Sequence, residues 1–466
     1  MNKTKIIATL GSASWNKEQI TALIKAGADL FRVNMSHEDH KGAIELVKLI
    51  RSINKNIGVL LDLQGPRIRT GKVKSSSVQL KEGDEFVITT KQIEGSAKKV
   101  STDFVDLPSK LKPGQRILID NGLIELHVKS IIGDEIYCIV HIGGILGDHK
   151  GMNIPGVSIF KKALTEKDRG DIKVAVAVEA DYVALSFVKG PDDILDARKA
   201  IQDNGGSIPV IAKIENSEAI NNIDAIINIS DAIMVARGDM GVELPPEEVP
   251  IVQKEIIRKC AKAAKPVIVA SQMLESMVSS PLPTRAESSD VANAILDGAD
   301  AVMLSEETAS GKYPIESITM MTRIIEKAEN IDSERIFHLE KSDIKQNTAF
   351  AVSHAAVHIC EDIDAKAIIT FTSSGSTALM ASKWRSKAPI IASVTTEKAV
   401  RRVSLYWGVK YIITDKCATT DEMVDHVEKA VVAKKLLKKG DLVVITAGVP
   451  IGVPGTTNLI KVHKIS

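Results

Sequence analysis

The chain lacks a charge excess, a cysteine framework and any long apolar run, and each shortage removes a class of function. Its 60 Lys and Arg face 59 Asp and Glu, leaving a formal net charge of +1. That balance gives no electrostatic reason to expect nucleic acid or an anionic membrane as the main partner. The four cysteines, Cys138, Cys260, Cys360 and Cys417, are scattered without C-x-x-C spacing. Neither a disulfide framework nor a zinc site is suggested. No run of about 18 apolar residues occurs, so no transmembrane helix is expected. The opening MNKTKIIATLG has too short an apolar stretch for a signal peptide. No G-x-G-x-x-G follows the first apolar run, and no H-E-x-x-H is present. What remains is a cytoplasmic, reduced protein whose 466 residues predict roughly two to four domains.

What is present is a rhythm. Short runs rich in Ile, Val, Leu and Ala end abruptly in polar residues: KIIATLG (5–11), DLFRVNMSH (29–37), IGVLLDLQG (57–65), DYVALSFV (181–188), PVIAKIEN (209–216), DAIMVARGD (231–239), PVIVASQML (266–274) and DAVMLSEET (300–308). Loss of alternation marks parallel strands buried on both faces. Helical segments such as GPDDILDARKAIQDNG and RAESSDVANAILDG lie between most of them. Eight βα units with polar residues at the strand ends predict a (β/α)8 TIM barrel with its site at the C-terminal rim. An open doubly wound sheet is the rival, disfavoured by the missing glycine fingerprint.

Residues 70–158 break the rhythm. SSVQL, DEFVITT, QRILIDNGLIELHV and EIYCIVHI alternate between KEGDE, KPGQ, DNG and GDE, the signature of an inserted small all-β domain. Leaving the barrel just after Arg69, it is placed to act as a lid. A helical NTAFAVSHAAVHICEDI, the strand AKAIITF and further βα units ending in DLVVITAG mark a C-terminal α/β domain. The expected division is barrel 1–69, lid 70–158, barrel 159–335 and α/β domain 336–466, with no module appended after GTTNLIKVH.

Candidate chemistry gathers at the strand ends. Lys213 and Glu215 stand two apart in VIAKIEN, on one face of a strand. A mutual ion pair is the plain alternative, but a buried pair brings little net stability. In VARGDMGVELPPEEVP, Gly238 and Gly241 permit close backbone approach and Asp239 supplies a second acid. Glu215 and Asp239 together suit Mg²⁺, which leaves positions for water and substrate oxygens; an Asx-type turn before a Pro-started helix competes. Asn34, Ser36 and His37 after Arg32, with Asp62 at the third strand end, make an oxygen-rich corner for a monovalent cation or a phosphate. Helix capping by Ser36 is the bland alternative. Ser271 and Ser305 add hydroxyls at the seventh and eighth strand ends. Arg32, Arg69 and Lys213 beside two acids fit an anionic substrate carried with a divalent metal, the equipment of phosphoryl transfer.

A second anion site is expected in the α/β domain. The loop Thr372, Ser373, Ser374, Gly375, Ser376, Thr377 opens a helix after a strand, with Lys383 and Arg385 downstream. It lacks the terminal Gly-Lys-Ser/Thr of a Walker A motif, and its distance from the rim suggests an allosteric effector. Ordinary Ser/Thr capping would look the same.

The ordered set TKIIATLG, FRVNMSH, LDLQGPRIRTG, NIPGVSI, LTEKD, KIEN, VARGDMGVELP, ASQMLESM, PTRAESSDVANAILDGADAVMLSEET and GTTN resembles the pyruvate kinase family over essentially the full length. The resemblance implies transfer of the phosphoryl group of phosphoenolpyruvate to ADP, giving pyruvate and ATP. Lys213 would stabilise the transferring group, and Glu215 and Asp239 would hold Mg²⁺ (or Mn²⁺) with the Ala236–Gly238 backbone close by. Arg32 would bind the substrate phosphate, and Ser271 the carboxylate or a proton-relay water. Arg69, His37 and Lys167 would face the nucleotide, beside Asn34. The resemblance also implies a homotetramer, with a sugar phosphate or a nucleoside monophosphate as effector. Ser271, Ser305 and ordered water are all candidates to protonate the enolate.

Asn34, Ser36, Asp62 and Leu63 would form the family's potassium corner, yet this corner departs from the common pattern. Many members read D-T-K-G-P-E where this chain has Asp62-Leu63-Gln64-Gly65-Pro66-Arg67. Leu63 removes a hydroxyl but keeps its backbone oxygen, and Arg67 replaces an acid with a permanent cation. Arg67 is therefore expected to fill the place of K⁺ and to leave the rate little dependent on it. Ser271 stands where Thr is usual, Glu306 replaces a small residue, and Glu38 replaces a Gly. Two other readings remain: a barrel lyase or aldolase binding an enolate through Mg²⁺, and a non-catalytic metabolite sensor. The first leaves the inserted domain unexplained, and the intact Lys213, Glu215, Asp239 and Arg69 argue against the second.

Overall fold

Strands apolar on both faces need cover on both, and a parallel sheet closed on itself provides it. In the computed structural model of the chain eight parallel strands do this: Lys5–Leu10, Leu30–Asn34, Gly58–Asp62, Tyr182–Leu185, Val210–Ile214, Ala232–Ala236, Val267–Ala270 and Ala301–Leu304. They are the first to eighth barrel strands, and the eighth pairs with the first from Lys5↔Ala301 to Ala8↔Leu304. The structure describes residues 2–157, 159, 160, 162–331, 339, 347–451 and 456–466. The expected domain borders at 158 and 335–336 lie outside the described residues.

Helices cover the outside of the barrel. Pro191–Asp203 begins with Pro at its first position, and Arg285–Leu296 begins with a Thr284–Glu287 capping box and stops before Asp297-Gly298. Between the third and fourth barrel strands lies a seven-stranded, largely antiparallel sheet with a separate two-stranded ribbon. Its own core includes Phe86, Ile88, Ile117, Leu126 and Ile136. The α/β domain carries a five-stranded sheet, parallel except for its last strand Thr457–Lys464.

Along each barrel strand the inward positions change from apolar to polar. Leu30 precedes Arg32, Leu60 precedes Asp62, Ala184 precedes Ser186, and Ile211 precedes Lys213. The period of two keeps these residues on the inner face, so a packed interior at one end becomes a polar mouth at the other.

The opposite, N-terminal rim follows a rule of its own. An aspartate precedes every even-numbered barrel strand and accepts a backbone N–H from the preceding strand. Asp29 accepts from Ile6 at 2.9 Å, Asp181 from Val59 at 2.9 Å, Asp231 from Val210 at 2.8 Å and Asp300 from Val267 at 2.8 Å. Each carboxylate also meets cations: Lys5, Arg51 with Arg401, Arg198, and Lys383 with Arg385, respectively. Arg401, Lys383 and Arg385 come from the α/β domain, so two of these aspartates bind that domain to the barrel floor.

Lys383 and Arg385 thus do not serve the Thr372–Thr377 loop as expected. The helix Ser376–Ser382 separates them from it, and its seven residues span about 10 Å. Lys383 Nζ instead lies 2.6 Å from Asp300 and 2.7 Å from the Lys265 carbonyl, while Arg385 lies 3.2 Å from Asp300 and packs on Trp407. Burial pushes both cations below their ordinary pKa values even with Asp300 beside them. Removing the carboxylate leaves two buried charges uncompensated. Asp300→Ala is expected to destabilise the protein by about 3–5 kcal/mol, whereas breaking the exposed Lys429–Asp425 pair with Lys429→Ala is expected to give no resolved change. Urea unfolding followed by tryptophan fluorescence, with Trp384 and Trp407 beside the cluster, checks both.

Candidate active site

The polar mouth is centred on Lys213, the last inward residue of the fifth strand and 7% exposed. Its Nζ donates to Ser186 Oγ at 2.7 Å, lies 2.8 Å from Glu215 Oε1, and lies 3.4 Å from Asp62 Oδ1. Burial acts to lower its pKa, but Asp62, Glu215 and Asp239 outweigh burial and raise it above the ordinary lysine value. Asp62 is shared with Arg32, which donates from Nε at 2.7 Å and approaches from Nη2 at 2.7 Å. Burial would raise the Asp62 carboxyl, yet Lys213 and Arg32 hold it below the usual aspartate range. Arg32 also donates to Thr9 Oγ1 at 3.1 Å. The mouth is therefore one continuous charge network drawn from the first five barrel strands.

Glu215 falls one residue past its strand but keeps the inward direction. Fully buried, it accepts from the Phe187 N–H at 2.5 Å through Oε2, while Oε1 faces the Lys213 ammonium. Burial and the charge of Asp239 push its carboxyl up, against the pull of Lys213. Asp239 does not sit in an Asx turn. Residues Arg237–Glu243 are helical and place it in the first turn, with Gly238 at an ordinary helical φ. A side chain at Gly238 would reach 3.4 Å from Ser271 Cβ and 3.5 Å from its hydroxyl, so glycine keeps that hydroxyl uncovered. Ser271 has φ +75° and Gln272 φ +53°. Arg237 holds this unusual backbone by donating to the Ser271 carbonyl at 2.8 Å while pairing with Asp290 at 2.7 Å.

Not every expected residue joins this centre. Asn34 Oδ1 accepts the Ser36 N–H at 3.1 Å, and the Leu63 carbonyl accepts the Ser186 hydroxyl at 2.8 Å. Arg67 points elsewhere: its guanidinium lies 3.7 Å from Asp239 and 5.6 Å from the Phe187 ring centroid. Among the described residues it makes no hydrogen bond or ion pair with Asn34, Ser36 or Asp62, so the expected seat in the potassium corner is corrected to one on the acid side of the mouth. Asp239 is the carboxylate within its reach. Arg69 belongs to a two-residue strand paired with Gly151 and Met152, and donates to the His149 carbonyl at 3.5 Å. Lys167 donates to the Met35 carbonyl at 2.7 Å and to Asp171 at 2.8 Å. Ser305 carries a backbone N–H given to Glu307 at 2.7 Å.

A cavity of about 380 Å³ opens between the barrel mouth and the inserted domain, lined by Arg67, Asp239, Glu243, Phe187, Asn216 and Asn153 among others. A second, of about 400 Å³, lies in the α/β domain and is lined by Thr372, Ser373, Ser376, Thr377, Lys416 and Thr457 among others. Its lysine is Lys416, which sequence reasoning did not single out. Gly375 has φ +95° and accepts no side chain without meeting Val403 at 2.9 Å, while its N–H donates to Thr372 Oγ1 at 2.8 Å. Ser186, Thr9, Phe187 and Arg237 were also missed. The only signal for Ser186 was its inward register, two residues beyond Ala184.

His37 reports on this field. Burial lowers its pKa below the ordinary 6.5, and the charges of Arg32, Arg67 and Arg69 lower it further against Glu306. A nearby cation disfavours the imidazolium, so removing one must raise the value. Titration of the His37 ring by proton NMR is expected to fall below 6.5 in the parent chain and to move upward in Arg67→Ala; an unmoved value would place Arg67 outside the site.

Comparison with known proteins agrees with this geometry. The family model described as pyruvate kinase, barrel domain, matches residues 1–318, and pyruvate kinase, alpha/beta domain, matches residues 350–463. A pyruvate kinase of Clostridium acetobutylicum is 48% identical over 473 aligned positions, covering all of both chains. One of Staphylococcus epidermidis is 42% identical over 472 positions, covering all of this chain and 81% of the relative. The crystal structure of a pyruvate kinase from Cryptosporidium parvum superposes with a TM-score of 0.92 at 35% identity, covering 100% and 96% of the two chains.

Proposed function

The chain belongs to the pyruvate kinase family, and from that premise we propose that it moves the phosphoryl group of phosphoenolpyruvate to ADP, giving pyruvate and ATP. The observation that carries the reading is the buried Lys213 held charged by Asp62 and Glu215 at the barrel mouth. A fixed cation in a water-poor site stabilises charge that develops on a transferring group without reorganising at the moment of reaction. Three N–H groups of Arg32 are engaged by Asp62 and Thr9. Of the five donors on a guanidinium two remain to take a substrate phosphate. The uncovered Ser271 hydroxyl beside Gly238 is placed to hold the substrate carboxylate or a water that returns a proton to the enolate.

The acids fit a divalent metal. Glu215 is fully buried beside Asp239, and burial with the charge of Asp239 pushes its carboxyl up even against Lys213. Both features suit a cation held by Glu215 and Asp239; Mg²⁺ or Mn²⁺ there would neutralise the oxygens of the substrate and the transferring group. Arg67 lies against Asp239 from the other side. We assign it the charge that K⁺ supplies in relatives with an acid at that position, with Asn34, Ser36, Asp62 and the Leu63 carbonyl as the corner a monovalent ion would otherwise use.

Arg69, which donates to the His149 carbonyl of the inserted domain, would meet the nucleotide together with His37 and Lys167 as that domain closes over it. The α/β domain cavity would take a sugar phosphate or nucleoside monophosphate on Thr372–Thr377 and Lys416. A cytoplasmic homotetramer completes the reading; among the described residues no helix is long and apolar enough to cross a membrane.

Pyruvate formation from phosphoenolpyruvate, ADP and Mg²⁺ tests the core claim. Lys213→Met is expected to lower kcat by at least about 10²-fold, and unchanged turnover would overturn the assignment. In the same assay, K⁺ added to buffer free of monovalent metal ions is expected to change the rate less than twofold. Many-fold activation would remove Arg67 from its role. Adding sugar phosphates and nucleoside monophosphates in turn is expected to shift the phosphoenolpyruvate half-saturation for one class, an effect lost in Lys416→Ala; no shift with either class would dismiss the effector site.

A further inference from the structure

Outside both cavities, the inserted domain carries a cluster that phosphoryl transfer does not use. Strand Ile124–Ile132 alternates strictly at its start, burying Ile124, Leu126 and Val128 and turning Glu125 and His127 outward. The neighbouring strand Glu135–Ile142 pairs Val140 with Leu126 and then Ile142 with Glu125. His141 is the extra residue of this β-bulge, and it is exposed on the same outer face. Its ring stacks on His127 at 4.4 Å between centroids and 19° between planes. Among the described residues the ring of His141 has no hydrogen-bond partner.

We propose that Glu125, His127 and His141 form a site for a late first-row divalent cation such as Zn²⁺. One ligand atom from each residue lies within 4.8 Å of the others, and it is the one such group of three among the described residues. Glu125 Oε1 and His127 Nε2 are 2.8 Å apart. Two ligands about 2.0–2.1 Å from a common ion at a tetrahedral angle would stand only roughly 0.5 Å further apart. Two imidazoles and one carboxylate leave a fourth position for water. Their nitrogen content selects against Mg²⁺, which takes oxygen ligands. The competing charge is Arg116, whose Nε lies 3.4 Å from the same Glu125 oxygen on a side chain 52% exposed and able to leave. Bound there, the ion cross-links two strands of the inserted domain. The pairs His354–His358 and Cys417–His426 offer one ligand fewer each.

Calorimetric titration of Zn²⁺ into the metal-stripped full chain, with millimolar Mg²⁺ present throughout, tests the site. One Zn²⁺ per chain is expected to bind, with affinity falling at least tenfold in His141→Ala and in His127→Ala. Turnover of phosphoenolpyruvate is expected to stay at the parent level in His141→Ala. Zn²⁺ is expected to raise the melting temperature of the parent but not of His141→Ala. Cobalt(II) in place of Zn²⁺ is expected to show the intense visible absorption of a four-coordinate ion. The proposal is overturned if the parent takes up no Zn²⁺, if His141→Ala binds it as tightly as the parent, or if uptake is lost only in His358→Ala or Cys417→Ser.

Discussion

The charge on Lys213 is the constraint around which the barrel mouth is arranged. Burial alone would strip that charge, because a cation removed from water loses several kcal/mol of solvation. Asp62 and Glu215 hold it, but a carboxylate buried for that purpose needs partners of its own. Asp62 finds them in Arg32, and Glu215 in the Phe187 amide. Arg32 in turn requires Thr9, and Ser186 links Lys213 to the Leu63 carbonyl. The members come from the ends of the first five strands, so closing the barrel and assembling the site are one event. Replacing Lys213, Asp62 or Arg32 leaves a neighbour short of a counter-charge.

The barrel is built asymmetrically to allow this. At its N-terminal rim the polar groups are structural: four aspartates each accept a backbone N–H from the neighbouring strand and each is matched by cations. At its C-terminal rim the charged groups surround an open mouth. Glu215 Oε1 meets the Lys213 ammonium at 2.8 Å, and Asp239 meets the Arg67 guanidinium at 3.7 Å. The floor carboxylates tie strands and domains together, whereas Asp239 lies at the cavity between the mouth and the inserted domain, where a ligand can enter. The α/β domain is joined to the N-terminal end. The helix that begins at the Thr372–Thr377 loop ends at Lys383 on Asp300, the residue that opens the eighth strand and leads to Ser305. A ligand in the α/β cavity would therefore press on a rigid element seated on the barrel itself.

How much of this could be read from the sequence depended on the range of the interaction. Strands buried on both faces announce themselves as unbroken apolar runs, and the inserted domain announced itself by alternation, because both follow from side-chain direction within a few residues. Lys213 and Glu215 were legible for the same reason: two apart on a strand, they must face one way. Ser186 obeyed the same rule but is too common a residue to stand out. Lys383 and Arg385 were misplaced because proximity in sequence to an anion loop counts for little across a helix, whose far end meets a different domain. The partner of Arg67 lies 172 positions away at Asp239, and no local pattern could indicate it. The recurring aspartate before alternate strands was visible in DLF, DYV, DAI and DAV, yet only the closed barrel shows which amide each one takes.

The position of Arg67 on the acid side of the mouth bears on why a fixed cation there can stand in for a mobile one. The mouth holds three cations, Arg32, Lys213 and Arg67, against three carboxylates, Asp62, Glu215 and Asp239. An anionic substrate entering this balanced site needs added positive charge, and a divalent metal on the two acids brings it. With a glutamate at position 67 the same mouth would hold two cations against four carboxylates, and the metal's charge would be consumed in restoring neutrality before any substrate arrived. A monovalent ion would return one of the two charges by which such a mouth falls short of this one. What matters in this account is the summed field at the mouth rather than the seat the charge occupies, because interactions among partly buried groups fall off slowly and are weakly screened. On the proposed reading, Arg67 would supply that charge without sitting where the ion would sit.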